Sequence, residues 1–108
     1  MKKVYNKLVR DRIPEIIQAA GGRCETTTLT GSDYQQALRQ KLIEEAQEAA
    51  TADLQALISE LADLLEVADA VMAAYHISRD DVLAEQQHRQ QERGGFEKCL
   101  WLLWSESG

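Results

Sequence analysis

The sequence predicts an all-α fold: a bundle of about four helices around a central antiparallel helix hairpin, completed by oligomerisation. Three observations lead to this prediction: a long apolar stripe with helical spacing, helix start and stop signals along the chain, and weak strand patterns. A chain of 108 residues suits one small domain, predicted to span 1–108. Such a small domain is marginal as a monomer, so we expect a second copy to share its core.

The first two helices are predicted from their boundary residues. The first begins near Asp11, a good N-cap residue, and ends at the glycine pair 21–22. The second begins at Ser32 or Asp33 and extends to about Ala50. A loop joins the two helices.

The third and fourth helices carry the clearest capping signals. Asp53 is predicted to cap the third helix, which runs to about Tyr75. Ser78 and Asp81 form an S-x-x-D capping signal for the fourth, which ends near Arg93. Apolar residues of the third helix recur at i, i+3 and i+4, and the stripe they form is predicted to be core: Leu54, Leu57, Ile58, Leu61, Leu64, Leu65, Ala68, Met72 and Tyr75.

The tail, residues 96–104, is short and apolar, and its pattern fits either a strand or an extended arm. Trp101 and Trp104 within it are expected to be core residues or to form a dimer contact, rather than a platform for stacking bases.

Composition excludes several classes of function. The formal net charge is −6, and a surface that binds polyanions is usually basic, so nucleic-acid polymers are not expected partners. The chain has no apolar run long enough to cross a membrane, and its first residues lack the apolar stretch of a signal peptide. The sequence therefore predicts a cytoplasmic protein without a membrane partner.

Two carboxylate pairs are the most informative feature of the chain: Glu45 with Glu48, and Glu60 with Asp63. Each pair is spaced i, i+3, so on a helix both members point the same way. If the chain turns between 51 and 53, the two pairs lie at the same level of the hairpin within about one turn. Four acids gathered there repel one another and require a cation, which makes all four predicted metal ligands.

The second helix supports an inward direction for its acids. At about 100° per residue, one face carries Tyr34, Leu38, Lys41, Glu45 and Glu48. This face changes from apolar to charged along the helix, and such a break in binary patterning is typical of a functional site.

Oxygen ligands without His or Cys favour Mg²⁺, with Mn²⁺ as a substitute. Such a site suits attack of water on a phosphoanhydride, with Glu44 or Glu48 as the general base; the sequence does not separate the two. Lys41 on the inner face either contacts phosphate or pairs with a neighbouring acid. Other candidates for binding phosphate lie near the two ends of the chain: Lys7, Arg10, Arg12, Arg93 and Lys98.

The residues 44–48, Glu-Glu-Ala-Gln-Glu, followed by 60–63, Glu-Leu-Ala-Asp, resemble the E-E-x-x-E and E-x-x-D signature of MazG-like nucleotide pyrophosphohydrolases. This superfamily also includes phosphoribosyl-ATP pyrophosphohydrolases and dimeric dUTPases. Residues 5–16 and 92–98 resemble the opening and the ending of a small single-domain branch, so the resemblance covers most of the chain.

The resemblance implies an all-α homodimer or homotetramer that binds Mg²⁺ through Glu45, Glu48, Glu60 and Asp63, with Glu44 assisting. It implies hydrolysis of a nucleoside triphosphate, or of a related nucleotide such as phosphoribosyl-ATP, to the monophosphate and pyrophosphate. The resemblance also implies that Lys7 and Arg10 contact phosphate. The alternative function is a non-catalytic helical dimer that senses nucleotides or binds a partner through its acidic face.

Overall fold

The computed structural model describes residues 1–108 and contains four α-helices and no strand. The helices are α1 (Ile13–Ala19), α2 (Gly31–Thr51), α3 (Leu54–Ala74) and α4 (Arg79–Arg93). The prediction of an all-α fold is therefore confirmed. The chain divides into two compact units, residues 1–76 and residues 77–108, and the assignment of one domain to 1–108 stays a prediction.

The predicted central hairpin is present in the first unit, where α2 and α3 pack against each other. Only Ala52 and Asp53 join the two helices. Near the open end of the hairpin, the Gln35 side chain at the start of α2 donates a hydrogen bond of 3.0 Å to the carbonyl oxygen of Ala74 at the end of α3. The two helices are consequently antiparallel along their full length.

Local capping chemistry sets two of the helix starts. Asp53 accepts a hydrogen bond of 2.9 Å from the backbone N–H of Ala56, and Ser78 accepts one of 3.4 Å from Asp81, as predicted. The predicted cap of α1 is wrong, because a backbone turn from Arg10 to Ile13 includes Asp11 and the N-cap position falls to Arg12.

The core of the hairpin is narrower than the predicted stripe. Leu38 of α2 is 3% exposed and Val67 of α3 is also buried, whereas five of the predicted core residues are half-buried: Leu57, Leu64, Ala68, Met72 and Tyr75. The other four face outward, and we call them the exposed stripe: Leu54, Ile58, Leu61 and Leu65. Their prediction as core is wrong for the single chain, since α2 covers only one side of α3.

The second unit contains α4 and the apolar tail. Gly94 ends α4 with φ = +83°, a left-handed conformation that favours glycine. Residues 96–104 form neither helix nor strand, so the expectation of a strand there is wrong. Trp101 and Trp104 are exposed, which excludes them from the core of the single chain and leaves their prediction as a dimer contact untested.

None of the four helices is both long enough and apolar enough to cross a lipid bilayer.

The buried position of Leu38 leads to a stability prediction. Leu38→Ala is expected to lower the free energy of unfolding by about 2–5 kcal/mol, because it removes apolar contacts and leaves a cavity between α2 and α3. Ile43→Ala on the exposed side of the same helix is the control, with an expected change below about 1 kcal/mol. Urea unfolding of both variants measures the difference, and equal losses would contradict the packing of Leu38.

Candidate metal centre

Three carboxylates converge between α2 and α3: Glu45, Glu60 and Asp63. Each offers one ligand oxygen, and these oxygens lie within 4.8 Å of one another. Glu45 comes from α2, while Glu60 and Asp63 come from α3, about one turn apart. We call this group the acidic triad. It arises because the short connection between the helices brings the two predicted carboxylate pairs to the same level of the hairpin.

Two oxygens of the acidic triad are shielded from solvent and accept no hydrogen bond. Glu45 is only 6% exposed. Its Oε2 atom and the Oε2 atom of Glu60 are buried and have no hydrogen-bond partner. A buried carboxylate oxygen without a partner loses the solvation that water would provide, at a cost of several kcal/mol. A cation between the carboxylates would remove this cost, so the buried oxygens fit a metal ion.

Two basic side chains already contact the triad. The Nζ atom of Lys41 lies 3.3 Å from Oε1 of Glu45, one turn away on the same helix. The Nη2 atom of Arg10 donates a hydrogen bond of 2.6 Å to Oδ1 of Asp63. Three carboxylates and two cations leave one uncompensated negative charge at the site.

The chemistry of the donor set indicates the class of metal. Every candidate ligand is a carboxylate oxygen, and neither His nor Cys belongs to the group. Hard divalent cations such as Mg²⁺ and Mn²⁺ prefer such ligands, whereas zinc sites usually include nitrogen or sulfur. Because Mg²⁺ takes about six ligands, a triad of carboxylates also leaves positions for water and phosphate oxygens.

Glu48, the fourth predicted ligand, lies outside the acidic triad. Its side chain is exposed, whereas Glu45 is buried. Glu48 lies almost one turn beyond Glu45, near the end of α2. Glu44, the other candidate base, is half-buried and precedes the triad residue Glu45 directly. The roles predicted for Glu44 and Glu48 stay predictions.

Other charged candidates are exposed. Lys7 is exposed, and its Nζ atom lies 5.6 Å from the centre of the Tyr5 ring. Glu66 and Asp69, two further acids of α3, are exposed and do not belong to the triad.

The contact between Arg10 and Asp63 is the part of the site that the sequence did not predict. The sequence offered Arg10 as a phosphate contact but gave no partner for it within the protein. The two residues are 53 positions apart, and no periodic pattern connects them. The only signal in the sequence was the positive charge of Arg10, which is opposite to that of the hairpin carboxylates.

Comparisons with protein-family models, with curated proteins and with solved structures find no match to this chain. The MazG-like resemblance therefore stays a prediction that rests on the motifs themselves.

Proposed function

We propose that the protein is a Mg²⁺-dependent nucleotide pyrophosphohydrolase. It hydrolyses a nucleoside triphosphate, or a related nucleotide such as phosphoribosyl-ATP, to the monophosphate and pyrophosphate. The proposed location is the cytoplasm, and the proposed assembly is a homodimer or homotetramer. The observation that carries the proposal is the acidic triad with its buried, unpartnered oxygens.

Glu45, Glu60 and Asp63 are the proposed ligands of the ion. When bound there, Mg²⁺ would neutralise phosphate charge and lower the pKa of a coordinated water. The ligands come from two packed helices rather than from a loop, which holds their geometry. Glu45 is the proposed central ligand, because it is the most buried of the three and the only one that comes from α2.

Glu44 and Glu48 are the candidates for the general base. Both lie on α2 beside Glu45, and neither belongs to the triad, so each can accept a proton without giving up a ligand. In the proposed reaction, the water oxygen bonds to the α-phosphorus, the bond to the bridging oxygen breaks, and pyrophosphate leaves. The proton of the water passes to one of these two carboxylates.

Lys41, Arg10 and Lys7 are the proposed phosphate contacts. Lys41 and Arg10 lie at the triad itself, where their positive charges are within reach of an anion that approaches the metal. Lys7 precedes Arg10 in the same segment and is exposed.

A nucleotide panel tests the proposed activity. We expect Mg²⁺-dependent release of pyrophosphate from at least one of the common nucleoside triphosphates, their deoxy forms or phosphoribosyl-ATP. Replacement of the true base, by Glu44→Gln or Glu48→Gln, should lower kcat by about 100-fold or more and leave Mn²⁺ affinity within about twofold. Release of pyrophosphate is followed by a coupled phosphate assay, and Mn²⁺ binding by electron paramagnetic resonance.

Two results would contradict the proposal. Nucleotide binding that requires Mg²⁺ but gives no turnover on any member of the panel would favour a nucleotide sensor instead. Equal activity with and without a chelator would exclude a role for the acidic triad in hydrolysis.

A further inference from the structure

Arg10 and Lys41 neutralise the acidic triad in different ways. Lys41 and Glu45 are separated by one turn of α2, and the Lys41 side chain is only 17% exposed, so this pair is fixed within one helix. Arg10 lies in the segment that precedes α1, and its side chain is 57% exposed. An exposed ion pair between distant segments contributes little to stability, because water screens the two charges and both side chains must be held in place. Arg10 is therefore the counterion that can leave.

The atom that Arg10 contacts is one of the two oxygens that Asp63 can offer to a metal. The guanidinium is 2.6 Å from Oδ1 of Asp63, a distance typical of a charge-assisted hydrogen bond. A divalent cation in the triad would place a second positive charge beside the same carboxylate. Arg10 and the cation consequently compete for the Asp63 carboxylate. Their positive charges also repel each other, which further disfavours binding of both at once.

We propose that Arg10 acts as an exchangeable counterion: it pairs with Asp63 in the metal-free protein and transfers to substrate phosphate when the cation and nucleotide bind. This inference rests on the proposed function, because it requires a metal in the acidic triad. Without metal, Arg10 and Lys41 offset two of three carboxylates; with metal, the released guanidinium faces the added negative charge of the phosphates.

The proposal predicts that one substitution changes the affinities for Mn²⁺ and for pyrophosphate in opposite directions. Arg10→Gln removes the competitor of the cation, so we expect Mn²⁺ to bind about fivefold more tightly. The same variant lacks the proposed phosphate contact, so inorganic pyrophosphate should bind about tenfold more weakly at saturating Mn²⁺. Replacement of a residue with a purely structural role would lower the affinities for both ligands.

Arg12→Gln is the matched control. The sequence offers Arg12 as a candidate for binding phosphate, but its side chain pairs with Glu15, at 3.0 Å, and not with the triad, and it has no role in the proposed function. Both variants remove one positive charge from the same segment. Arg12→Gln should leave the affinities for Mn²⁺ and for pyrophosphate within about twofold of the wild type. The Mn²⁺ affinity is measured by electron paramagnetic resonance, and pyrophosphate binding by isothermal titration calorimetry.

The outcomes separate this inference from the proposed function. If Mn²⁺ binds the wild type and Arg10→Gln matches Arg12→Gln in both affinities, the exchange is overturned while the metal site stands. A tighter affinity for Mn²⁺ with unchanged pyrophosphate binding also overturns the transfer to phosphate. If neither the wild type nor Arg10→Gln binds Mn²⁺, the metal site fails, and the proposed function and the exchange fail with it.

Discussion

Glu45→Gln is expected to lower Mg²⁺-dependent pyrophosphate release by at least about 100-fold and to weaken Mn²⁺ binding by more than tenfold. The substitution replaces a carboxylate oxygen with an amide that carries less charge, and its NH₂ group can face the cation as a donor. Glu45 is the most buried member of the acidic triad and the only one that comes from α2. Coupled phosphate assays and Mn²⁺ titrations measure the two effects.

Thermal unfolding gives this prediction a readout that does not depend on catalysis. Mg²⁺ should raise the melting temperature of the wild type, because a ligand that binds only the folded state stabilises it. The same addition should leave Glu45→Gln unchanged. Glu66→Gln removes one charge from an exposed position on α3 and is the control, expected to behave as the wild type in all three measurements. A Glu45→Gln variant with full activity would exclude this carboxylate as a ligand.

Ile58→Asp is expected to convert a dimer or tetramer of this chain to the monomer. Ile58 is 81% exposed and lies within the exposed stripe, which forms a continuous apolar surface along α3. If a second copy covers this surface, a carboxylate at its centre loses solvation and opposes association by several kcal/mol. We expect the dissociation constant of the oligomer to rise at least about 100-fold, as measured by sedimentation velocity over a range of protein concentrations.

Ser59→Asp is the control for oligomerisation. Ser59 is exposed and follows Ile58 directly, but it lies about 100° further around the helix, away from the stripe. Both variants introduce one aspartate at adjacent positions of α3, so a difference between them reports the location of the interface. A wild type that sediments as a monomer at all concentrations, or equal dissociation of the two variants, would contradict the proposed assembly.

Local chemistry explains the parts of the fold that could be predicted from the sequence. Asp53 and Ser78 were predictable caps because each accepts a hydrogen bond from the backbone three residues later, an interaction that depends only on neighbouring residues. The convergence of Glu45, Glu60 and Asp63 was predictable for a related reason. Helical period and a short connection are enough to place these residues at the same level.

Features that depend on tertiary packing could not be predicted in the same way. The stripe on α3 has helical periodicity whether it is covered or not, and periodicity alone does not identify which half of a wide apolar face meets α2. The exposure of Glu48 is a similar case. The same i, i+3 spacing brings Glu60 and Asp63 together on α3, so spacing alone does not decide whether a carboxylate enters the site. Arg10 reaches Asp63 through tertiary structure that no local pattern encodes.

The two-residue connection between α2 and α3 also affects the order in which the site assembles. Contacts between residues close in sequence form faster than contacts that close long loops, so the acidic triad comes together with the hairpin. The contact between Arg10 and Asp63 closes a loop of 53 residues and follows later. During folding, the hairpin thus gathers three carboxylates before its exposed counterion arrives.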